Sequence, residues 1–288
     1  MTSNEELERQ YTPSLFSKRF ESREELLNYF LNFSNSKSQE NRLKYDCHLN
    51  ISYGPTQREK LDIYGDNLPP DSPLFIFIHG GYWQELDKDY SSFFVEPFIK
   101  NSIRVIVVEY ELCPKVTVED IVDQIQSCFK WISSYVHRKN VKRVSIAGHS
   151  VGAHLLAFAL SREFMDEMKT VSIDAYFISG VYCLKELRNL NAANDGNILT
   201  ITDENWHKLS PLYKDFSYLK NNQVDVYIYA GTDESDKFKE QSRMFSESSI
   251  KEFVKKLQFL DVDHFNIIEN LASEDYEITR SIIDNLKK

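Results

Sequence analysis

The residues best suited to chemistry cluster around Ser150, in the run Val144–Leu156 (Val-Ser-Ile-Ala-Gly-His-Ser-Val-Gly-Ala-His-Leu-Leu). A β-branched stretch stops at Gly148, and helix formers begin just after Gly152. Strand, tight turn and helix are the context in which a Gly-x-Ser-x-Gly turn lifts a serine hydroxyl to the head of a helix. Gly148 and Gly152 stand where a Cβ would collide in so sharp a turn. At a helix N-terminus, free N–H groups and the positive end of the dipole face any developing negative charge. A serine hydroxyl is nevertheless a weak nucleophile until a base removes its proton, and that base needs a carboxylate to orient it.

Downstream candidates lie at the ends of two apolar strands. Asp233 falls in Gly231-Thr232-Asp233-Glu234-Ser235, after the run Val226–Ala230, and His264 falls in Asp263-His264-Phe265, after Leu257–Val262. The order serine, acid, histidine is the one used where such a turn sits on a parallel sheet. Ser150, Asp233 and His264 are therefore the expected triad. Glu234, Asp261 and Asp263 compete for the acid, although Asp261 sits within or at the end of its strand and Asp263 adjoins the histidine too closely. His149 and His154 precede any acid in that order. Acyl transfer also needs donors for an oxyanion, and Gly80 and Gly81 in His79-Gly80-Gly81-Tyr82-Trp83 follow the strand Leu74–Ile78. Their amides, with that of Val151, form the expected oxyanion hole, with His79 bracing the loop. Tyr82 and Trp83 are either core aromatics or walls of an aromatic pocket, with Tyr182 a further candidate wall.

The elements that must hold these residues are legible as pattern. Leu74–Ile78, Ile103–Val108, Val141–Ala147, Ile173–Ile178, Val224–Tyr229 and Leu257–Val262 are apolar runs separated mostly by helical stretches. That alternation predicts an α/β fold, with a mainly parallel sheet covered on both faces. Asp46–Tyr53 and Glu59–Tyr64 alternate apolar and polar residues, as antiparallel strands at the N-terminal edge do. Residues 1–45 read as a helical arm with Ser22 as an N-cap backed by Glu25, and residues 185–222 as an Asn-rich excursion over the carboxyl edge of the sheet. The expectation is a single domain over 1–288.

With a formal net charge of −10, the chain is a poor fit for nucleic acid or an anionic membrane. Its four cysteines are scattered, without a Cys-x-x-Cys pair for zinc or redox chemistry. The polar amino terminus lacks the apolar core of a secretory signal, and no run approaches membrane-spanning length. A cytoplasmic, cofactor-free enzyme acting on a small molecule is the expectation. No metal is expected, and a homodimer is left open.

Taken together, His79-Gly80-Gly81-Tyr82-Trp83-Gln84, Glu109-Tyr110-Glu111-Leu112-Cys113-Pro114, Gly148–Leu155, Ser179-Gly180-Val181-Tyr182 and Asp263-His264-Phe265 resemble the kynurenine formamidase (arylformamidase) family. The resemblance runs from Tyr11-Thr12-Pro13-Ser14 to the final helix. Two positions depart from the pattern: Glu109 and Cys183 stand where an Asp is expected. The resemblance implies an α/β-hydrolase fold that cleaves N-formyl-L-kynurenine to L-kynurenine and formate without a cofactor. A small-acyl carboxylesterase of the same fold and a non-catalytic binding module are the alternatives.

Overall fold

The continuous apolar run Leu74–Ile78 is hydrogen-bonded on both sides and lies inside an eight-stranded sheet. The computed structural model describes residues 4–288, and the first three residues of the expected 1–45 arm lie outside the described residues. In chain order the strands are β1 (Cys47–Ser52), β2 (Lys60–Tyr64), β3 (Leu74–Ile78), β4 (Arg104–Val108), β5 (Arg143–His149), β6 (Ser172–Ile178), β7 (Gln223–Asp233) and β8 (Val254–Asp263). Across the sheet they run β1-β2-β4-β3-β5-β6-β7-β8. The β1–β2 and β2–β4 pairs are antiparallel, and all others are parallel. The fold is thus the mainly parallel α/β sheet with an antiparallel N-terminal edge that the apolar pattern predicts.

The helices are α1 (Asn4–Gln10), α2 (Arg23–Lys44), α3 (Val95–Lys100), α4 (Val118–Lys139), α5 (Val151–Ala159), α6 (Arg162–Glu167), α7 (Asn191–Asn194), α8 (Asp236–Ser246), α9 (Asn266–Glu269) and α10 (Glu277–Leu286). Side chains alternate between the two faces of a strand, so β3 serves two cores. Leu74, Ile76 and Ile78 join residues of α4, α5 and α8 on one face. Phe75 and Phe77 join residues of α3 and α10 on the other. Helix α4 is set by a capping box at Thr117 and Asp120, and it stops at Asn140 in the left-handed conformation.

In the arm, Ser22 accepts a hydrogen bond from the Glu25 amide at 3.1 Å and starts α2. Phe30 of that helix meets the Phe265 ring edge-on at 5.3 Å, next to His264. Residues 185–222 run as short 3-10 turns around α7. They are tied down by Gln84 Nε2 donating to Ala193 O at 2.7 Å and by His154 Nε2 lying 2.7 Å from Leu209 O. No helix among the described residues is long and apolar enough to cross a membrane.

Candidate active site

Ser150 sits between β5 and α5 with φ 56° and ψ −121°, a conformation an L-residue adopts only under strain. The turn closes tightly because both flanking residues lack a Cβ. One added at Gly148 would meet Gly152 O at 2.2 Å, and one at Gly152 would meet Ile78 O at 2.1 Å. The Ser150 amide donates to Ile178 O at 2.9 Å, which pins the turn to the end of β6. The Ser150 hydroxyl therefore heads α5 at the carboxyl edge of the sheet, and the side chain is almost fully enclosed.

The Gly80-Gly81 loop lies directly against it. A Cβ built on Gly80 would stand 3.1 Å from the Ser150 Cβ. The loop is tightly wound: Tyr82 and Trp83 both have positive φ, and the Gln84 and Glu85 amides donate to Gly81 O at 2.9 and 2.8 Å. The amides of Gly80, Gly81 and Val151 have no backbone acceptor outside the helices and strands among the described residues. His79 does brace this loop. Its Nδ1 is 2.8 Å from Gly80 O, its Nε2 is 3.4 Å from Glu109 Oε1, and its ring stacks on Tyr110 at 4.4 Å. Burial would raise the Glu109 carboxyl, but His79, Arg58 and the Lys88 amide outweigh it and hold the group below the usual range. Glu109 thus supports the Gly80-Gly81 loop through His79.

The carboxylate beside His264 is Glu234, where the sequence pointed to Asp233. Strand β7 continues through Asp233, with a register irregularity between Gly231 and Asp233. Strand pairing sets Asp233 opposite Asp263, at the rim, where its carboxylate meets the exposed Lys18 ammonium at 2.5 Å. Glu234, one residue on, turns inward and is 3% exposed. Its Oε2 is 3.3 Å from His264 Nδ1, and its Oε1 accepts from the Gly231 amide at 2.8 Å and from the Ser179 hydroxyl. The N-cap of α8 is Ser235.

His264 follows β8 and is held from several sides. His149 Nε2 lies 2.9 Å from His264 O, and the two rings are 4.6 Å apart. The ring of Phe238 meets that of His264 edge-on at 4.8 Å. Burial, with His264 adjacent, pushes His149 well below the usual imidazole range, so it stays neutral and donates to that carbonyl. Asp263 accepts from the Phe265 and Asn266 amides at 2.8 Å, from Ser17 at 2.6 Å and from Arg19 Nε at 2.7 Å. Arg19 also spans to Glu269 at 2.8 Å. The arm thus clamps the loop that carries His264, a contact its local pattern does not disclose.

Two of the candidate wall residues lie in the core. Trp83 is fully buried and meets the His154 ring edge-on at 4.9 Å. Tyr182 is fully buried and stacks on Phe245 at 4.0 Å. Both rings are packed among core residues. Tyr82 stays half-buried, with its hydroxyl donating to Tyr11 O at 2.7 Å. Among the described residues, no group of His, Cys, Asp and Glu could hold a metal ion.

Sheet order, together with a serine on the strand-to-helix turn after β5, defines an α/β-hydrolase. The BD-FAE family model matches residues 61–248. A solved Silicibacter structure described as a candidate thioesterase superposes with a TM-score of 0.79 at 23% identity, covering 98% of this chain and 99% of its own. More closely related in sequence is the kynurenine formamidase of Drosophila melanogaster, 34% identical over 96% of this chain and 95% of its own. That of Danio rerio is 31% identical over 99% and 97%. The chain belongs to the BD-FAE family and, more particularly, to the kynurenine formamidase family.

Proposed function

We propose that the protein hydrolyses the formamide of N-formyl-L-kynurenine to L-kynurenine and formate, with Ser150 as nucleophile, His264 as base and Glu234 as the orienting acid. The observation that carries this reading is the His264 ring, paired through Nδ1 with Glu234 and packed against His149, the residue before Ser150. Donating Nδ1–H to Glu234 leaves Nε2 with a free lone pair to take the Ser150 proton. The Ser150 oxygen attacks the formyl carbon, and the amides of Gly80, Gly81 and Val151 receive the oxyanion. Collapse expels the aryl amine, which takes its proton from His264 Nε2 and leaves a formyl ester on Ser150. Water, deprotonated by the same nitrogen, then releases formate.

The tight approach of Gly80 to Ser150 suits an acyl group as small as formyl. Tyr82 is the aromatic candidate for the leaving-group side. The names of the relatives supply the choice of substrate over other small acyl compounds. The test compares kcat/KM for N-formyl-L-kynurenine and p-nitrophenyl acetate in the wild type and in Ser150→Ala. A preference for the formamide is expected, with a loss of several orders of magnitude in the variant and the fold retained. A clear preference for the ester, or normal turnover by the variant, would defeat the reading.

A further inference from the structure

Ser179 stands directly after β6 and is completely buried. Its amide donates to Tyr229 O at 2.7 Å, and its neighbour Ile178 accepts from the Ser150 amide, so it lies between the elbow and the acid-bearing strand. The backbone has φ 50°, in the left-handed region that glycine occupies freely and other residues rarely do. A glycine follows at the next position. What a serine has there that a glycine would lack is its hydroxyl, and that hydroxyl donates to Glu234 Oε1.

Two donors therefore converge on one oxygen of the buried carboxylate, Ser179 Oγ and the Gly231 amide, while His264 Nδ1 faces the other. A glutamate has one more rotatable bond than an aspartate, and its terminal torsion is broad. Left with a single donor, the carboxylate could turn and exchange its oxygens, and the pairing with His264 would lapse part of the time. Resting on the reading of the site given above, we propose that Ser179 is a positioning residue for catalysis. It fixes the plane of Glu234 so that Oε2 stays on His264 Nδ1, and it acts only through that acid.

The dependence on Glu234 is the point to test. Ser179→Ala and Ser179→Gly are made alone and in a Glu234→Ala background, and kcat and KM are measured with N-formyl-L-kynurenine. Intact sites are counted with a fluorophosphonate, or by the near-UV circular dichroism of the folded protein where labelling is slow. Each single variant should lose about 10- to 100-fold in kcat with KM within about twofold. The glycine variant relieves the left-handed strain, so its Tm should equal or exceed that of the wild type while the kcat loss persists. In the Glu234→Ala background, removing the hydroxyl should change kcat by less than about twofold, because nothing is left for it to orient. Wild-type kcat in both single variants, or an undiminished loss in the Glu234→Ala background, overturns the proposal. If Glu234→Ala alone keeps full activity, the assignment of the acid fails first and the role of Ser179 falls with it.

Discussion

Replacing Glu234 by Gln changes one atom, yet it should nearly abolish turnover. The Gly231 amide and the Ser179 hydroxyl both donate to Oε1, so a glutamine there must turn its carbonyl oxygen toward them. Its NH2 group then occupies the place of Oε2, 3.3 Å from His264 Nδ1. Two donors cannot face each other, so the imidazole must carry its proton on Nε2, the nitrogen required as base. The charge is lost as well. A carboxylate and an imidazolium 3.3 Å apart attract by about 5 kcal/mol at an effective dielectric of about 20. Losing that stabilisation in the transition state corresponds to a fall of about 10³- to 10⁴-fold in kcat. Asp233→Asn should differ from the wild type by less than about twofold. Its partner Lys18 is exposed, and rim pairs of this kind are worth ~0–1 kcal/mol. The assay is the steady-state release of kynurenine, normalised to fluorophosphonate-titrated sites in the Asp233 variant and the wild type and to folded protein in the Glu234 variant. A collapse of activity in Asp233→Asn beside a near-normal Glu234→Gln would refute the reasoning.

Two further perturbations probe what surrounds the triad. Arg19→Ala leaves Asp263 and Glu269 without their shared guanidinium and should cost about 3 kcal/mol in chemical denaturation, with kcat falling as the His264 loop loosens. Burial would raise the Asp263 carboxyl, but Arg19, Ser17 and two amides hold it below the usual range. Its contribution is therefore present above the unfolded carboxylate value and lost as pH falls through the folded one, and in the variant, whose folded carboxyl is held down less, that acid-side loss should be smaller. Unchanged stability and kcat would remove the arm from this role. His154 behaves oppositely in sign of charge, since burial pushes it down to about 4. The unfolded chain takes up that proton first, so stability is complete above about pH 6.5 and declines toward pH 4, by roughly 3 kcal/mol in all. His154→Gln should flatten the wild-type decline across that window, and an equally steep slope would exonerate this residue.

The elbow was legible because its physics is local. Gly148, Ser150 and Gly152 announce a turn too tight for side chains, and the contacts with Gly152 O and Ile78 O are the collisions that such spacing implies. The central strands were legible for a related reason, since a run such as Leu74–Ile78 can satisfy its apolar side chains only when covered on both faces. The choice between Asp233 and Glu234 was not. It depends on where β7 ends and on an irregularity in its pairing with β8, and one step along a strand reverses the direction of a side chain. Trp83 and Tyr182 pose the same problem, because sequence brings a ring next to the site but only packing decides whether it turns to the cleft or to the core. The contacts of Ser179 with Glu234 and of Arg19 with the His264 loop were out of reach for a further reason. Residue type and spacing along the chain settled which groups were available for chemistry. Which of them meet, and through which atoms, was decided by hydrogen bonds between segments that become neighbours only when the sheet closes around them.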